Sequence, residues 1–286
     1  MKKMKAAVDI GSNTVQMLAG FEEHGQIVPV YRYLATTRLG AGGQPNHLSE
    51  RAMAQTVTAL AEIQAMLTAE GVRDIRLLAT SAVRDAENQA TFLDLVKRTC
   101  GLDVLVLSGA EEAQLSYRGA ISVLDGRSAL VLDIGGGSTE LIRENAADLL
   151  AVSYNIGAVR AQNYGWQRAE IVQQFSQKTL PTLDKSPLVG VGGTITTAAA
   201  IRAGVEQYSR QAVQGRVLSR QWLLQLRDHL AALPVEARCM YSPLLQKRGE
   251  IIVEGLTILE VVMERLGVDC ITASDAGFLD GALLLD

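Results

Sequence analysis

The stretch D-I-G-S-N-T-V-Q-M-L at residues 9–18 returns, loosely, as D-I-G-G-G-S-T-E-L-I at residues 133–142. Asp9 and Asp133 head the two copies, 124 positions apart. In each copy an apolar strand ends on the aspartate, a glycine-bearing loop follows, and a second strand leads into a hairpin. Strands and helices then continue in both halves. A duplication of this size predicts an α/β protein of two similar lobes, each a mixed sheet with helices on its faces. The crevice between such lobes is the expected ligand site, with the two loops facing each other across it.

Working outward, residues 5–10 read as a buried strand, and strands follow over V-Q-M-L-A-G-F and I-V-P-V-Y-R-Y-L. Gly40, Gly42, Gly43 and Pro45 mark a loop. Ser49 is placed to cap a long helix that Gly71 ends. I-R-L-L-A-T is a fourth strand, residues 86–100 a helix, D-V-L-V-L a fifth strand, and residues 110–124 a helix. The second half repeats the scheme, with strands at 128–134, 140–143, 149–154 and 187–191. The turn E-N-A-A-D joins two of them. Helices are expected from Gly157, after the G-G-T at 192–194, and over 219–232 and 245–266. V-D-C-I-T-A is a last strand and 275–286 a last helix.

The chain has 286 residues, 48% of them hydrophobic, and a net charge of −4. That composition supplies ample core and describes a folded protein. The charge gives no electrostatic footprint for nucleic acid. No run of about 20 apolar residues predicts a membrane span, and the basic start is cut by Asp9 too early for a signal peptide. A cytoplasmic location is expected. Cys100, Cys239 and Cys270 are far apart and lack metal-ligand spacing, so they read as buried thiols. His24, His47 and His229 have no ligand partners nearby in sequence and read as surface residues. Trp166 and Trp222 read as packing residues.

A polyanionic ligand must then be met by local donors. In D-I-G-G-G-S-T, the N–H groups of Gly135, Gly136 and Gly137 can converge into an anion nest. Ser138 and Thr139 add hydroxyls, and Asp133 at the strand's end is placed to hold a cation or orient water. Asp9, Gly11, Ser12, Asn13 and Thr14 form the counterpart clamp. Gly192, Gly193 and Thr194 lie at another strand end and open a helix, whose N-terminus favours phosphate. The plainer reading of each is a tight glycine turn; the pairing of the first two weighs against it. Arg84 and Arg38 are candidates for bidentate phosphate contacts. In S-G-A-E-E-A at 108–113, the adjacent glutamates suit the positive end of a helix dipole. One of them is also placed to take a proton from attacking water.

These motifs in this order resemble the Ppx/GppA family of exopolyphosphatases and guanosine pentaphosphate phosphatases. The match runs over D-I-G-S-N-T at 9–14, R-L-G at 38–40, A-T-S-A-V-R-D-A-E-N at 79–88 and S-G-A-E-E-A at 108–113. It continues with D-I-G-G-G-S-T-E-L at 133–141, S-Y-N-I-G-A-V-R at 153–160 and G-V-G-G-T at 190–194. The resemblance implies a duplicated ribonuclease H-like, actin-like ATPase fold. It implies hydrolysis of the terminal phosphate of polyphosphate or of pppGpp, with Mg2+ or Mn2+. It places the catalytic glutamate on Glu112, an arginine of the site on Arg84 and the acidic residue near metal and water on Asp133. Asp9 and Asp133 are the candidate metal ligands. The last helix is expected to return to the first lobe, giving lobes of 1–124 with 275–286, and of 125–274.

Ala110 and Gln114 stand where the family usually carries Glu and Arg, and the tail S-D-A-G-F-L-D-G lacks the usual arginine. These departures keep open a second hypothesis, a polyphosphate or (p)ppGpp sensor without turnover. A third is a small-molecule kinase on the same fold. A homodimer is left open.

Overall fold

The computed structural model describes residues 3–40, 46–124, 127–145, 148–183 and 186–285. Gly42, Gly43 and Pro45 of the expected loop, and Ala146 and Ala147 of the expected turn, lie outside them. The chain divides into two compact units, Met1–Ser122 with Phe278–Asp286, and Val123–Gly277.

The first unit opens with β1 (Lys5–Ile10), β2 (Thr14–Glu23) and β3 (Gln26–Thr36). Helix α1 (Glu50–Ala69) and β4 (Asp74–Ala79) follow, then the one-turn α2 (Ser81–Arg84), α3 (Gln89–Cys100), β5 (Leu105–Val106) and α4 (Gly109–Ile121). The sheet order is β3-β2-β1-β4-β5. β1 pairs antiparallel with β2 and parallel with β4, so it sits mid-sheet. That position explains why its Ala6, Ala7, Val8 and Ile10 are all buried, with no alternation. One face of the sheet packs Val8, Ile10 and Met17 against Leu60, Ile63 and Phe92 of α1 and α3. The other packs Ala7, Leu18 and Leu78 against Leu115 of α4 and Leu283 of the chain's last helix. Ser49 caps α1, its hydroxyl accepting from the Ala52 N–H at 3.2 Å.

The second unit begins with β6 (Leu130–Ile134), β7 (Thr139–Asn145) and β8 (Asp148–Tyr154). There follow α5 (Ala158–Asn163), α6 (Arg168–Phe175), β9 (Leu188–Val191), α7 (Gly193–Ala203) and α8 (Arg210–Val213). The unit continues with β10 (Val217–Ser219), α9 (Arg220–Ala231), α10 (Val235–Tyr241), α11 (Ile252–Leu266) and β11 (Cys270–Ala273). Its sheet order is β10-β11-β9-β6-β7-β8. Taken from the hairpin edge, β8-β7-β6-β9-β11 repeats the pairing scheme of β3-β2-β1-β4-β5, and β10 is an added antiparallel edge. The same ribonuclease H-like sheet is thus built twice. The chain then ends in α12 (Phe278–Leu283), which packs on α4 in the first unit. A Cβ at Gly281 there would lie 1.9 Å from the Leu115 carbonyl oxygen.

Several expected elements are shorter than the sequence suggested. The helix at 86–100 starts only at Gln89, because the Asn88 side chain instead pins Leu48, accepting from its N–H at 3.0 Å and donating to its carbonyl at 2.8 Å. The fifth strand keeps only two residues, Leu105 and Val106, paired with the end of β4. The helix at 245–266 begins at Ile252. Before it, a short 3-10 turn and Gly249 bring the backbone against Cys239, where a Cβ on Gly249 would lie 2.6 Å from the sulfur. The last helix covers 278–283 of the expected 275–286. Cys100 is buried but Cys239 is half-buried and Cys270 exposed, which corrects the reading of all three as buried thiols. Cys270 heads a strand beside β10, where its side chain points outward.

Candidate functional site

In each unit the glycine-rich loop joins the central strand to its hairpin partner, and each loop is closed by the same kind of internal hydrogen bond. Gly11 N–H donates to the Thr14 carbonyl at 3.0 Å, and Gly135 N–H to the Ser138 carbonyl at 3.0 Å. Ile10 then pairs with Val15, and Ile134 with Thr139. The loops therefore superpose without insertion, so that Ser12 answers to Gly136, Asn13 to Gly137 and Thr14 to Ser138.

The carbonyls of both loops are tied back by the segment after the third strand. In the first unit, Thr37 and Arg38 N–H groups donate to the Asn13 carbonyl at 3.1 and 3.0 Å, and Gly40 N–H to that of Ser12 at 2.7 Å. In the second, Ala158 N–H donates to Gly135, and Arg160 N–H to Gly136 at 2.9 Å, while Arg160 Nε reaches the Gly137 carbonyl at 2.8 Å. The N–H groups of Gly136 and Gly137 have no acceptor among the described residues. The Ser138 hydroxyl is buried and likewise unpartnered among them, as is the Asn13 amide nitrogen. Donors left without acceptors in a glycine-rich loop are what an anion nest requires. Gly157 is required here: a Cβ on it would come within 2.5 Å of the Gly136 carbonyl. Thr139 takes a different part, its hydroxyl donating to the Ile156 carbonyl at 2.6 Å.

The first unit brings Ser12, Arg84 and Glu112 to one end of its sheet. Ser12 and Ser81 hydroxyls lie 3.2 Å apart. Three residues on, Arg84 Nη1 donates to the Leu107 carbonyl at 2.9 Å and to Glu112 Oε2 at 3.1 Å. The adjacent glutamates are sorted by the helix start. Glu111 closes a capping box, accepting from the Ser108 N–H at 2.8 Å and from its hydroxyl at 2.7 Å. Those bonds hold the Glu111 carboxyl below the usual range. Glu112 turns inward, its side chain only 13% exposed. Arg38 lies exposed after β3 with a positive φ of 50°.

In the second unit Asp133 ends β6 beside the Gly192 loop. Gly192 takes a φ of +87°, and a Cβ there would meet Asp133 Oδ1 at 2.9 Å. Glycine is thus demanded by both conformation and space. Asp133 also pairs across the sheet with Glu140, on the same face; Glu140 is buried and accepts from the Ser153 hydroxyl at 2.7 Å. The Thr194 side chain packs on Gly255 of α11. Over Gly193 lies the Arg248 guanidinium, within 2.0 Å of where a Cβ would stand. Arg248 is half-buried, its backbone N–H donates to the Leu245 carbonyl at 3.0 Å, and its guanidinium makes no ion pair among the described residues. Burial lowers its pKa. A cation held at a helix N-terminus is opposed by the helix dipole.

Sequence reading missed Glu140, Arg160 and Arg248. Glu140 and Arg160 stood inside quoted motifs, in D-I-G-G-G-S-T-E-L and S-Y-N-I-G-A-V-R, and strand alternation from Asp133 gives a handle on the former. Arg248 sits 55 positions after Gly193, where no local pattern marks it.

Among the described residues no group of three or more His, Cys, Asp or Glu side chains is arranged to hold a metal, and no helix is long and apolar enough to cross a membrane. Asp9 and Asp133 each offer carboxylate oxygens at a strand end. A carboxylate of this kind, taken in each unit by itself, fits the chemistry of Mg2+ or Mn2+, which take one or two carboxylates and complete their shell with water and phosphate oxygens.

A twice-built ribonuclease H-like sheet with glycine-rich loops at the strand ends defines a phosphate-handling protein of the actin-like class. The sequence model of the Ppx/GppA phosphatase family matches residues 20–286. The chain belongs to that family and, on this membership, is an enzyme of the phosphoanhydride hydrolase class. It is 30% identical over 310 aligned positions to Exopolyphosphatase 2 of Mycobacterium tuberculosis, covering 98% of this chain and 97% of that one. The crystal structure of the Aquifex aeolicus Ppx/GppA family member aligns with a TM-score of 0.81 at 27% identity, covering 99% of this chain and 97% of that one. An exopolyphosphatase from Cytophaga hutchinsonii shares the fold, with a TM-score of 0.86 at 24% identity and coverage of 98% and 96%.

Proposed function

We propose that the protein hydrolyses the terminal phosphoanhydride of inorganic polyphosphate, or of pppGpp, with Glu112 as general base. The observation that carries this is the sorting of the two glutamates. Glu111 is spent on the helix cap, and Glu112 is left inward against Arg84.

Each unit supplies its own part. In the first, Glu112 takes the proton of a water whose oxygen attacks the terminal phosphorus. The P–O bond to the bridging oxygen breaks, and the shortened chain leaves with that oxygen's electrons. Arg84 orients the carboxylate, and its remaining N–H groups suit the phosphoryl oxygens. In the second, the Gly136 and Gly137 N–H groups and the Ser138 hydroxyl hold phosphate oxygens in place. Arg248, with the N-terminus of α7, takes a further phosphate. Asp9 and Asp133 would hold Mg2+ or Mn2+, which when bound offsets the charge on the phosphates. Glu140, beside Asp133, helps fix it.

Supporting observations are the two superposable loops, the unpartnered donors in them and the family membership. Phosphate release from polyphosphates of graded length and from pppGpp, with Mg2+ and with Mn2+, tests the reading. Release from at least one substrate is expected. Tight binding with no release from any would replace it with the sensor hypothesis.

A further inference from the structure

We infer that Gly281, in the chain's last helix, is a positioning residue that sets where α4 places Glu112. The inference rests on the proposed role of Glu112 as general base, and it gives α12 a part in catalysis besides its part in the core.

The two helices meet backbone to backbone. A Cβ at Gly281 would stand 1.9 Å from the Leu115 carbonyl oxygen, 2.7 Å from its carbon and 3.0 Å from the Leu115 Cα. Leu115 follows Glu112 by three residues in α4, so the contact falls one turn along from the carboxylate. The last helix also covers the start of α4. Leu107, just before the Ser108 cap, shares one buried cluster with Leu115, Ala282, Leu283 and Leu284. The Leu107 N–H donates to the Ala79 carbonyl at 2.9 Å, and its own carbonyl takes Arg84 Nη1 at 2.9 Å. Both ends of the segment that carries the Arg84–Glu112 contact therefore lean on α12. That helix and the residues after it are tied in turn to β4 and β1. Arg76 Nη1 donates to the Ala282 carbonyl at 2.6 Å, and Lys5 Nζ to that of Leu285 at 3.5 Å.

Glycine is a weak helix former, so its use inside α12 is the close approach it permits. The atoms it faces are backbone, and no flexible side chain can turn aside to make room. With α12 tethered, a side chain at 281 is accommodated by a shift of about 1 Å in α4, a misplacement that can cost about 100-fold in rate.

Steady-state phosphate release from polyphosphate, measured for Gly281→Ala alone and combined with Glu112→Gln, tests this. In the parent background kcat is expected to fall about 10-fold to 100-fold, with KM held within about threefold. In the Glu112→Gln background the same change is expected to lower the residual kcat by less than about twofold, because a residue that acts through Glu112 has nothing left to aim. Equal losses in the two backgrounds, a KM that rises in step with the fall in kcat, or a folded Gly281→Ala variant with the parent's kcat would overturn the inference. Should Gly281→Ala fail to fold, Arg76→Met, which removes one tether of α12, is run through the same cycle. It is expected to lower kcat about threefold in the parent and not at all in Glu112→Gln; no loss in the parent, or equal losses in both, overturns the inference. Full activity of Glu112→Gln by itself marks a different failure, that of the base assignment, and the inference falls with it.

Discussion

Arg84 Nη1 lies 3.1 Å from Glu112 Oε2, joining the one-turn helix after β4 to the first turn of α4. The contact is more than a surface ion pair. Both side chains are largely covered, 24% and 13% exposed, and the same guanidinium nitrogen bonds the Leu107 carbonyl. A planar fork with several donors can hold the carboxylate and still meet a phosphate in fixed geometry; an ammonium on a flexible stem lacks that fork. Arg84→Lys is therefore expected to recover little of what Arg84→Ala loses. Removing one such donor typically costs about 10²–10³ in turnover. Steady-state phosphate release from polyphosphate checks this, and a fully active Arg84→Lys variant would count against the bidentate role.

Gly157→Ala tests the loop scaffold. The new Cβ meets the Gly136 carbonyl carbon and oxygen at 2.5 Å, both backbone atoms that have no room to yield. Overpacking of this kind costs about 1–3 kcal/mol. Urea denaturation is expected to show that loss, and polyphosphate affinity to fall with it, because the displaced peptides carry the nest.

The helix cap has a separable effect. Ser108→Ala removes the hydroxyl that accepts from the Glu111 N–H at 3.3 Å. A lost N-cap costs about 1 kcal/mol, measurable as a lower denaturation midpoint. A companion drop in turnover is expected, since the same turn aims Glu112.

Glu254, in the first turn of α11, has one carboxyl oxygen buried without a hydrogen-bond partner among the described residues. Burial raises its pKa above the usual carboxylate value. The folded state thus holds the proton more tightly than the unfolded chain does. The cost is absent below the unfolded pKa and complete above the folded one. Glu254→Gln is expected to raise the melting temperature at neutral pH, with the gain fading as pH falls toward the ordinary carboxylate range. A gain that is constant across pH would point to packing instead.

Much of this was legible in the sequence because the duplication repeats a chemical pattern. The motif D-I-G fixed where each central strand ends, and the flanking apolar runs fixed the strands beside it. What escaped depends on distance along the chain. Arg248 reaches Gly193 only through the turn before α11, and Tyr208 meets Asp275 across 67 positions. Pattern reading also cannot split Glu111 from Glu112; the reciprocal bonds at Ser108 do so. Helix 86–100 was overextended because Asn88 looks like a helix residue until its side chain is seen holding Leu48.

The central claim is that Glu112 takes the proton of the attacking water. Phosphate release from polyphosphate by Glu112→Gln, with binding followed in parallel, tests it most directly. A fall in turnover of roughly 10²–10⁴ with affinity largely retained is predicted, the span expected of a general base. Turnover equal to that of the parent would contradict the account.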